Sequence, residues 1–337
     1  MTFPLTARRL FVLFSLAAVA AVVAYVALVP SGPAPATDST PAAAVVDLIT
    51  AVPDGPLILF RDGSPGTFFG RLAIVRLPLT DTTRLIAPLS CERVHYASGW
   101  GVCLITDESR LPVRHRADVF DASFAVRHSF PLTGPPIRAR VAPDGRRAVL
   151  TVFETGHSYA DSSFSTRTVL IETASGRRIA DLEEFAVEKD GRTIKSADFN
   201  FWGITFARDG DQFFATLKTG GLSHLVHGSI DARRVSVLRT GVECPSLSPD
   251  GTTLVYKKPL VGEIGWRLHA LDLAAGTERP LNQVRRSVDD QVEWFDDTHI
   301  VYHDSASQGT GVWVLSVDGV SEPRLLLPQA YSPAVQR

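Results

Sequence analysis

The chain has 337 residues, of which 45% are hydrophobic and 21% charged, with one Met, three Cys and a net charge of −2. That length allows one large or two ordinary domains, and the composition suits a soluble β-rich body without a strong electrostatic field. Arg-Arg pairs at 8–9, 146–147, 177–178, 233–234 and 285–286 are scattered among acidic residues. They form no phosphate-tracking stripe, which excludes nucleic acid as the expected partner.

In chain order, a short basic N-terminus, residues 1–9, precedes the uncharged run Leu10–Val29 of 20 residues. At about 1.5 Å per residue that run is long enough for a transmembrane helix. Arg8 and Arg9 lie before it and no positive charge follows until Arg61, which predicts an uncleaved signal anchor with the N-terminus in the cytoplasm and the body outside the cell membrane. The rival reading is a signal peptide cleaved near Ala34-Pro35-Ala36, giving a secreted protein. Residues 30–44 are Pro, Ala, Ser and Thr with little to bury and read as an extended linker.

From residue 45 the chain is repetitive. In "CPSLSPDGTTLVYKK", Cys244–Lys258, a Pro-Asp-Gly turn joins two apolar runs, with Pro fixing φ and Gly supplying the positive-φ position of a β-hairpin. Weaker copies are anchored at Asp54, Gly99, Asp144, Asp209 and Asp296, each followed four residues later by an apolar run such as Ile58-Leu59-Phe60 or Phe213-Phe214-Ala215. Successive anchors lie 45, 45, 65, 41 and 46 residues apart, the period of a four-stranded propeller blade with one long insertion. Third strands follow ("LAIVRLP", "TVLIETASG", "LHALDLAAG", "VWVLSVDG"), then short fourth strands ("RRIADL", "RVSVLRT", "PRLLLP"). The prediction is an all-β, six-bladed β-propeller over residues 45–337. Near the end "YSPAVQR" begins a seventh repeat for which no blade remains, so it is expected to pair with the first blade and close the ring.

Cys91 and Cys103 fall at the end of the first repeat and in the second repeat's hairpin, where a disulfide across neighbouring strands is possible in an exported domain; two buried thiols are the alternative. Cys244 has no obvious partner.

Repeats written "SLSPDGTTLVYKK" and "RVAPDGRRAVLTVF", with "LHALDLAAGTERPL" after the first, resemble the WD-like repeats of TolB-type β-propellers over most of residues 45–337. The resemblance implies a six-bladed propeller of the bacterial cell envelope that serves as a protein-interaction platform, as TolB does beside a peptidoglycan-associated lipoprotein; the propeller itself is expected to be a monomer. Only the predicted anchor and linker precede Val45, where TolB has an α/β domain, so a TolB-specific partner is not carried over.

Chemistry is sparse. No G-x-S-x-G elbow, H-E-x-x-H or Walker A loop occurs, and no catalytic residue, metal site or cofactor is expected. His224 and His227 are three apart, on opposite faces of a strand, and cannot chelate one ion there. Loops entering the innermost strands and loops joining second to third strands meet at one mouth of a propeller channel. The entering loops hold Arg138, Asp198, Asn200, Glu243, Asp289, Asp290 and Gln291. The second-to-third loops hold His157, Tyr159, Lys257 and Lys258, with His303 and Asp304 in the last repeat. These residues form a candidate site rich in carboxylates for an envelope protein or peptide. The alternatives are a small-ligand or cation sensor at the same mouth, or an uncharacterised hydrolase or lyase using its acidic residues; the local reading is that Asp and Asn there cap turns. Trp202, Trp266, Trp294 and Trp313 are expected in the core, and Trp100 as an exposed contact.

Overall fold

The computed structural model describes residues 5–28, 46–80, 83–155, 164–306 and 309–337. The chain divides into two units, Met1–Ala44 and Val45–Arg337. In the first, Leu5–Leu28 is an α-helix of 24 residues. Among the described residues no helix is long and apolar enough to cross a membrane. The membrane-spanning helix expected over 10–29 is therefore not shown; what the structure describes there is the helix Leu5–Leu28. The expected linker, 30–44, lies outside the described residues.

The second unit is six sheets built on four antiparallel strands each, the six-bladed propeller that the repeat period predicts. From the innermost strand outward, blade 2 is Arg93–Ala97, Trp100–Asp107, Arg114–Asp121 and Val126–Leu132. Blade 3 is Pro136–Val141, Arg147–Thr155, Ser165–Glu172 and Arg178–Asp181. Blade 4 is Asn200–Phe206, Gln212–Thr219, Leu222–Ser229 and Arg234–Thr240. Blade 5 is Glu243–Leu247, Thr253–Pro259, Trp266–Asp272 and Glu278–Pro280, and blade 6 is Glu293–Trp294, His299–Ala306, Gly309–Ser316 and Arg324–Pro328.

Blade 1 is assembled from both ends of this unit. Its innermost strand is Ala330–Gln336, paired antiparallel with Leu57–Asp62, so the seventh repeat start closes the ring as expected. Arg71–Arg76 and Arg84–Ser90 follow outward. Val46–Leu48 then adds a fifth strand, parallel to Arg84–Ser90, at the outer edge. Asp54 is thus not the tip of a first-to-second-strand hairpin like the other anchors. Arg84 fastens this junction, buried against Asp62 at 2.8 Å while also donating to the Pro328 carbonyl. The long spacing between Asp144 and Asp209 divides between the connection after Arg147–Thr155 and a hairpin, Ala186–Lys189 with Arg192–Ile194, that pairs onto the outer strand of blade 4.

Apolar residues of adjacent blades pack face to face, for example Phe201, Phe213 and Leu217 of blade 4 with Val149 and Leu170 of blade 3. Trp202, Trp266, Trp294 and Trp313 are buried as expected. Trp100 is instead half-buried, lying on the blade 2–blade 3 cluster because its strand turns it towards Val102 and Leu104 rather than to solvent. Cys91 and Cys103 are joined by a disulfide between the outer end of blade 1 and blade 2, and Cys244 is a buried free thiol. His224 is buried, while His227 lies against Phe214 with ring centroids 4.7 Å apart.

Candidate functional site

Up-and-down strands put the connections of every blade on two faces. One face carries the second-to-third loops and the segments leading into the innermost strands; the other carries the tight turns between first and second strands. The innermost strands line the channel between them, and alternation along each strand sends every second side chain into it. On Arg93-Val94-His95, Arg138-Ala139-Arg140 and Gln291-Val292-Glu293 the channel-facing positions are polar.

These side chains form a paired lattice. Arg138 Nη2 lies 3.5 Å from Asp290 Oδ1 and donates to the Asp289 carbonyl at 3.1 Å. Arg93 Nη1 is 3.8 Å from the same Asp290 oxygen. Burial alone would raise the Asp290 carboxyl, but Arg138 and Arg93 outweigh it and hold the group below its ordinary value. Lys257, fully buried, reaches Asp289 Oδ1 at 2.7 Å and sits 4.3 Å over the Trp266 ring. The Trp266 indole N–H donates to Glu243 Oε2 at 2.8 Å. Burial pushes the Glu243 carboxyl up, against the opposing pull of Lys257 and of that N–H. Gln291 Nε2 donates to the carbonyls of Pro245 at 2.9 Å and Ile204 at 3.1 Å, tying blades 4, 5 and 6 together.

Of the expected mouth residues, the structure brings together Arg138, Glu243, Lys257, Asp289, Asp290 and Gln291. It does not bring Asp198, Asn200 or Lys258 to them. The Asp198 carboxylate accepts from Thr219 Oγ1 at 2.6 Å and the Gly220 N–H at 2.7 Å. Asn200 accepts the Thr166 N–H at 2.8 Å and donates to the Asp198 carbonyl. Asn200 thus joins blade 4 to blade 3, while Asp198 holds the second-to-third loop of blade 4. Lys258 pairs with Glu278 at 2.6 Å, within blade 5 and beside Arg239 of blade 4. His157 and Tyr159 lie outside the described residues. His303 stacks on Tyr331 at 4.4 Å, and Asp304 accepts the Ser305 N–H.

Deeper in the channel is a layer that the loop-by-loop reading of the sequence missed. Glu293 Oε2 is 3.0 Å from Arg140 Nη1 and 3.6 Å from His95 Nε2, and Arg337 lies 3.8 Å from Oε1. Burial opposes ionisation of Glu293, yet Arg140, His95 and Arg337 hold its carboxyl at about 2. His95 Nδ1 accepts the Val141 N–H at 3.1 Å, which leaves its proton on Nε2, and burial lowers the imidazole's affinity for a second one. On the loop side of this layer the channel narrows to a void of about 30 Å³, room for about one water. On the turn side it widens to a cavity of about 500 Å³.

The second-to-third loops carry a further feature. Phe69 of blade 1, Leu111 of blade 2, Leu222 of blade 4, and Val261 and Ile264 of blade 5 are all exposed, and all lie at that one face. Among the described residues, no group of three or more His, Cys, Asp or Glu side chains is placed to hold a metal ion.

No family model and no curated protein matches this sequence. Among solved structures, the chain is similar to TolB from Acinetobacter baumannii, with a TM-score of 0.56 at 15% identity, covering 84% of this chain and 68% of that one. It is also similar to a chain of the nidogen/laminin complex, with a TM-score of 0.52 at 12% identity, covering 83% of this chain and 98% of that one. At such identities the likeness is one of fold: residues 45–337 form a TolB-like propeller.

Proposed function

We propose that this chain is a non-enzymatic protein-interaction propeller of the bacterial cell envelope, held at the membrane by its apolar N-terminal helix with the propeller outside the cytoplasm. The observation that carries the interaction reading is the ring of exposed Phe69, Leu111, Leu222, Val261 and Ile264 on one face. Scattered single apolar side chains need no explanation, but five on the loop tips of four blades make a discontinuous apolar rim suited to a partner's surface. The lattice inside that rim is already paired, so it supplies rigidity and charge register rather than a vacant pocket. The likeness to TolB and to a chain from a complex of two proteins agrees with a binding role. The Cys91–Cys103 disulfide agrees with an oxidising compartment.

The test is proximity labelling in the native host from a tag on the propeller. The parent is compared with a variant carrying Leu111→Ser, Leu222→Ser, Val261→Ser and Ile264→Ser, and with one carrying Asp198→Ala, Asp289→Ala and Asp290→Ala. An envelope protein enriched by the parent and lost with the rim variant supports the proposal. Identical labelling from all three removes the loop face as the docking surface.

A further inference from the structure

The cavity at the turn face is unused by a partner that docks on the loops, and its walls are built for something smaller. All six blades contribute to it. Its volume of about 500 Å³ lies in the range of small-ligand sites, roughly 300–1,000 Å³. Tyr96, Phe206, Leu247 and Val335 give apolar walls. At the floor stands the layer of His95, Arg140, Glu293 and Arg337.

Two of that floor's donors are left out of reach of its own acceptor. Two guanidiniums and the imidazole N–H face the single Glu293 carboxylate. Arg140 makes a full ion pair at 3.0 Å, while His95 Nε2 at 3.6 Å and Arg337 at 3.8 Å stand beyond hydrogen-bond distance from it. Arg337 also donates to the Trp294 carbonyl, yet its side chain keeps 42% of its surface open. The acidic residues at the rim are turned away from this deficit. Asp209 Oδ1 accepts the N–H groups of Asp211 at 3.0 Å and Gln212 at 2.9 Å. Asp250 Oδ1 accepts the Thr252 N–H at 3.0 Å and the Ser248 hydroxyl at 2.5 Å. Arg208, the remaining cation of the rim, donates to the Pro249 carbonyl at 2.6 Å and bridges the turns of blades 4 and 5.

We propose that the turn-face cavity is a binding site for a small organic carboxylate with an apolar body, its carboxylate on Arg337 and His95 Nε2–H and its body against Tyr96, Phe206 and Leu247. Carboxylate geometry matches a guanidinium fork, and the narrow channel beyond Glu293 stops the ligand from passing through. A bare phosphate could meet the donors but would leave the apolar walls unused.

The experiment is titration calorimetry on the full-length chain with hexanoate and benzoate, each beside its uncharged amide and beside inorganic phosphate. Saturable one-site binding is expected for at least one of the two carboxylates and for neither amide nor phosphate. Arg337→Gln, at a half-exposed position that the fold tolerates, should weaken binding about tenfold, the effect of one charge-assisted hydrogen bond. Arg110→Gln removes the same charge from an exposed loop of blade 2 and should change nothing. The proposal is overturned by any of three results: neither carboxylate saturates, an amide or phosphate binds as tightly, or the two Arg→Gln variants behave alike.

Discussion

Glu293 is the residue on which most of the channel's charge converges, and its acid strength is a stability statement. Its carboxyl is held at about 2 against an ordinary 4.5. A group depressed in the folded state contributes stability above its unfolded pKa and loses it as pH falls through the folded one, here between about 4.5 and 2. The difference corresponds to about 3 kcal/mol at neutral pH. Glu293→Gln should therefore be about 3 kcal/mol less stable than the parent in urea melts at pH 7, with the gap closing as the pH is taken towards 2. Equal stabilities at pH 7 would show that the buried carboxylate gains nothing from its cations.

Gly203 gives a second expectation at this scale. It sits at φ +62° in the innermost strand of blade 4, and a Cβ there would lie 2.5 Å from Cys244 Cα in the next blade. Gly203→Ala combines a left-handed backbone with an inter-blade clash and should lower stability by about 2–4 kcal/mol in the same assay. The site was half legible in the sequence. Loop residues such as Asp289 and Asp290 announce themselves because carboxylates cluster. Arg93, His95, Arg140 and Glu293 do not, although their alternation with Val94, Ala139 and Val292 is the period-two signal that could have placed them in the channel. Asp198 and Asn200 carry the same residue types in the same loops, and only the folded structure shows that Asp198 holds a loop of its own blade while Asn200 joins blade 4 to blade 3.

Among elements, the strand Ala330–Gln336 carries the most consequence. It buries Ala330, Ala334 and Val335 and supplies the innermost ladder of blade 1. Its Ser332 hydroxyl accepts the Val94 N–H of blade 2 at 3.1 Å. Deleting residues 329–337 should lower the melting temperature by many degrees, since it opens the ring and bares an inner edge; an unchanged melt would mean that closure contributes nothing. The Cys91–Cys103 link ties blade 1 to blade 2 across a separation of 12 residues. Loop-closure entropy for so short a span gives about 3 kcal/mol, which Cys103→Ser in a denaturant titration should remove.

Strand order was readable because the Pro-Asp-Gly turns return at a blade's period. The hairpin Ala186–Ile194 was not, since nothing in "AVEKDGRTI" separates a strand pair added to a blade's edge from a strand within one. The short strand Val46–Leu48 escaped for a related reason: its partner is the outermost strand of the same blade, in parallel, and parallel pairing of three residues leaves no turn signature.

At the scale of the whole molecule, the second unit contains its own closure, its own disulfide and every blade. Residues 45–337 alone should therefore unfold in one cooperative transition at the temperature of the full chain; a lower or broadened transition would assign a structural role to the first 44 residues. The two faces of the ring divide labour in this reading. The loop face offers an apolar rim around a filled, ion-paired centre, suited to a broad contact. The turn face offers an open-mouthed cavity suited to a small one.

The origin of blade 1 also sets a schedule. Its second, third and fourth strands are among the first stretches of the propeller to be synthesised, and its innermost strand is the last. No ring can form while the ribosome still holds residues 330–336, so a nascent chain keeps a bare strand edge on blade 1 until translation has passed them. A chain broken off before that point carries the same bare edge permanently. Closure of the ring is thus written into the propeller's outline, since an unpaired innermost edge on blade 1 marks any chain that lacks residues 330–336.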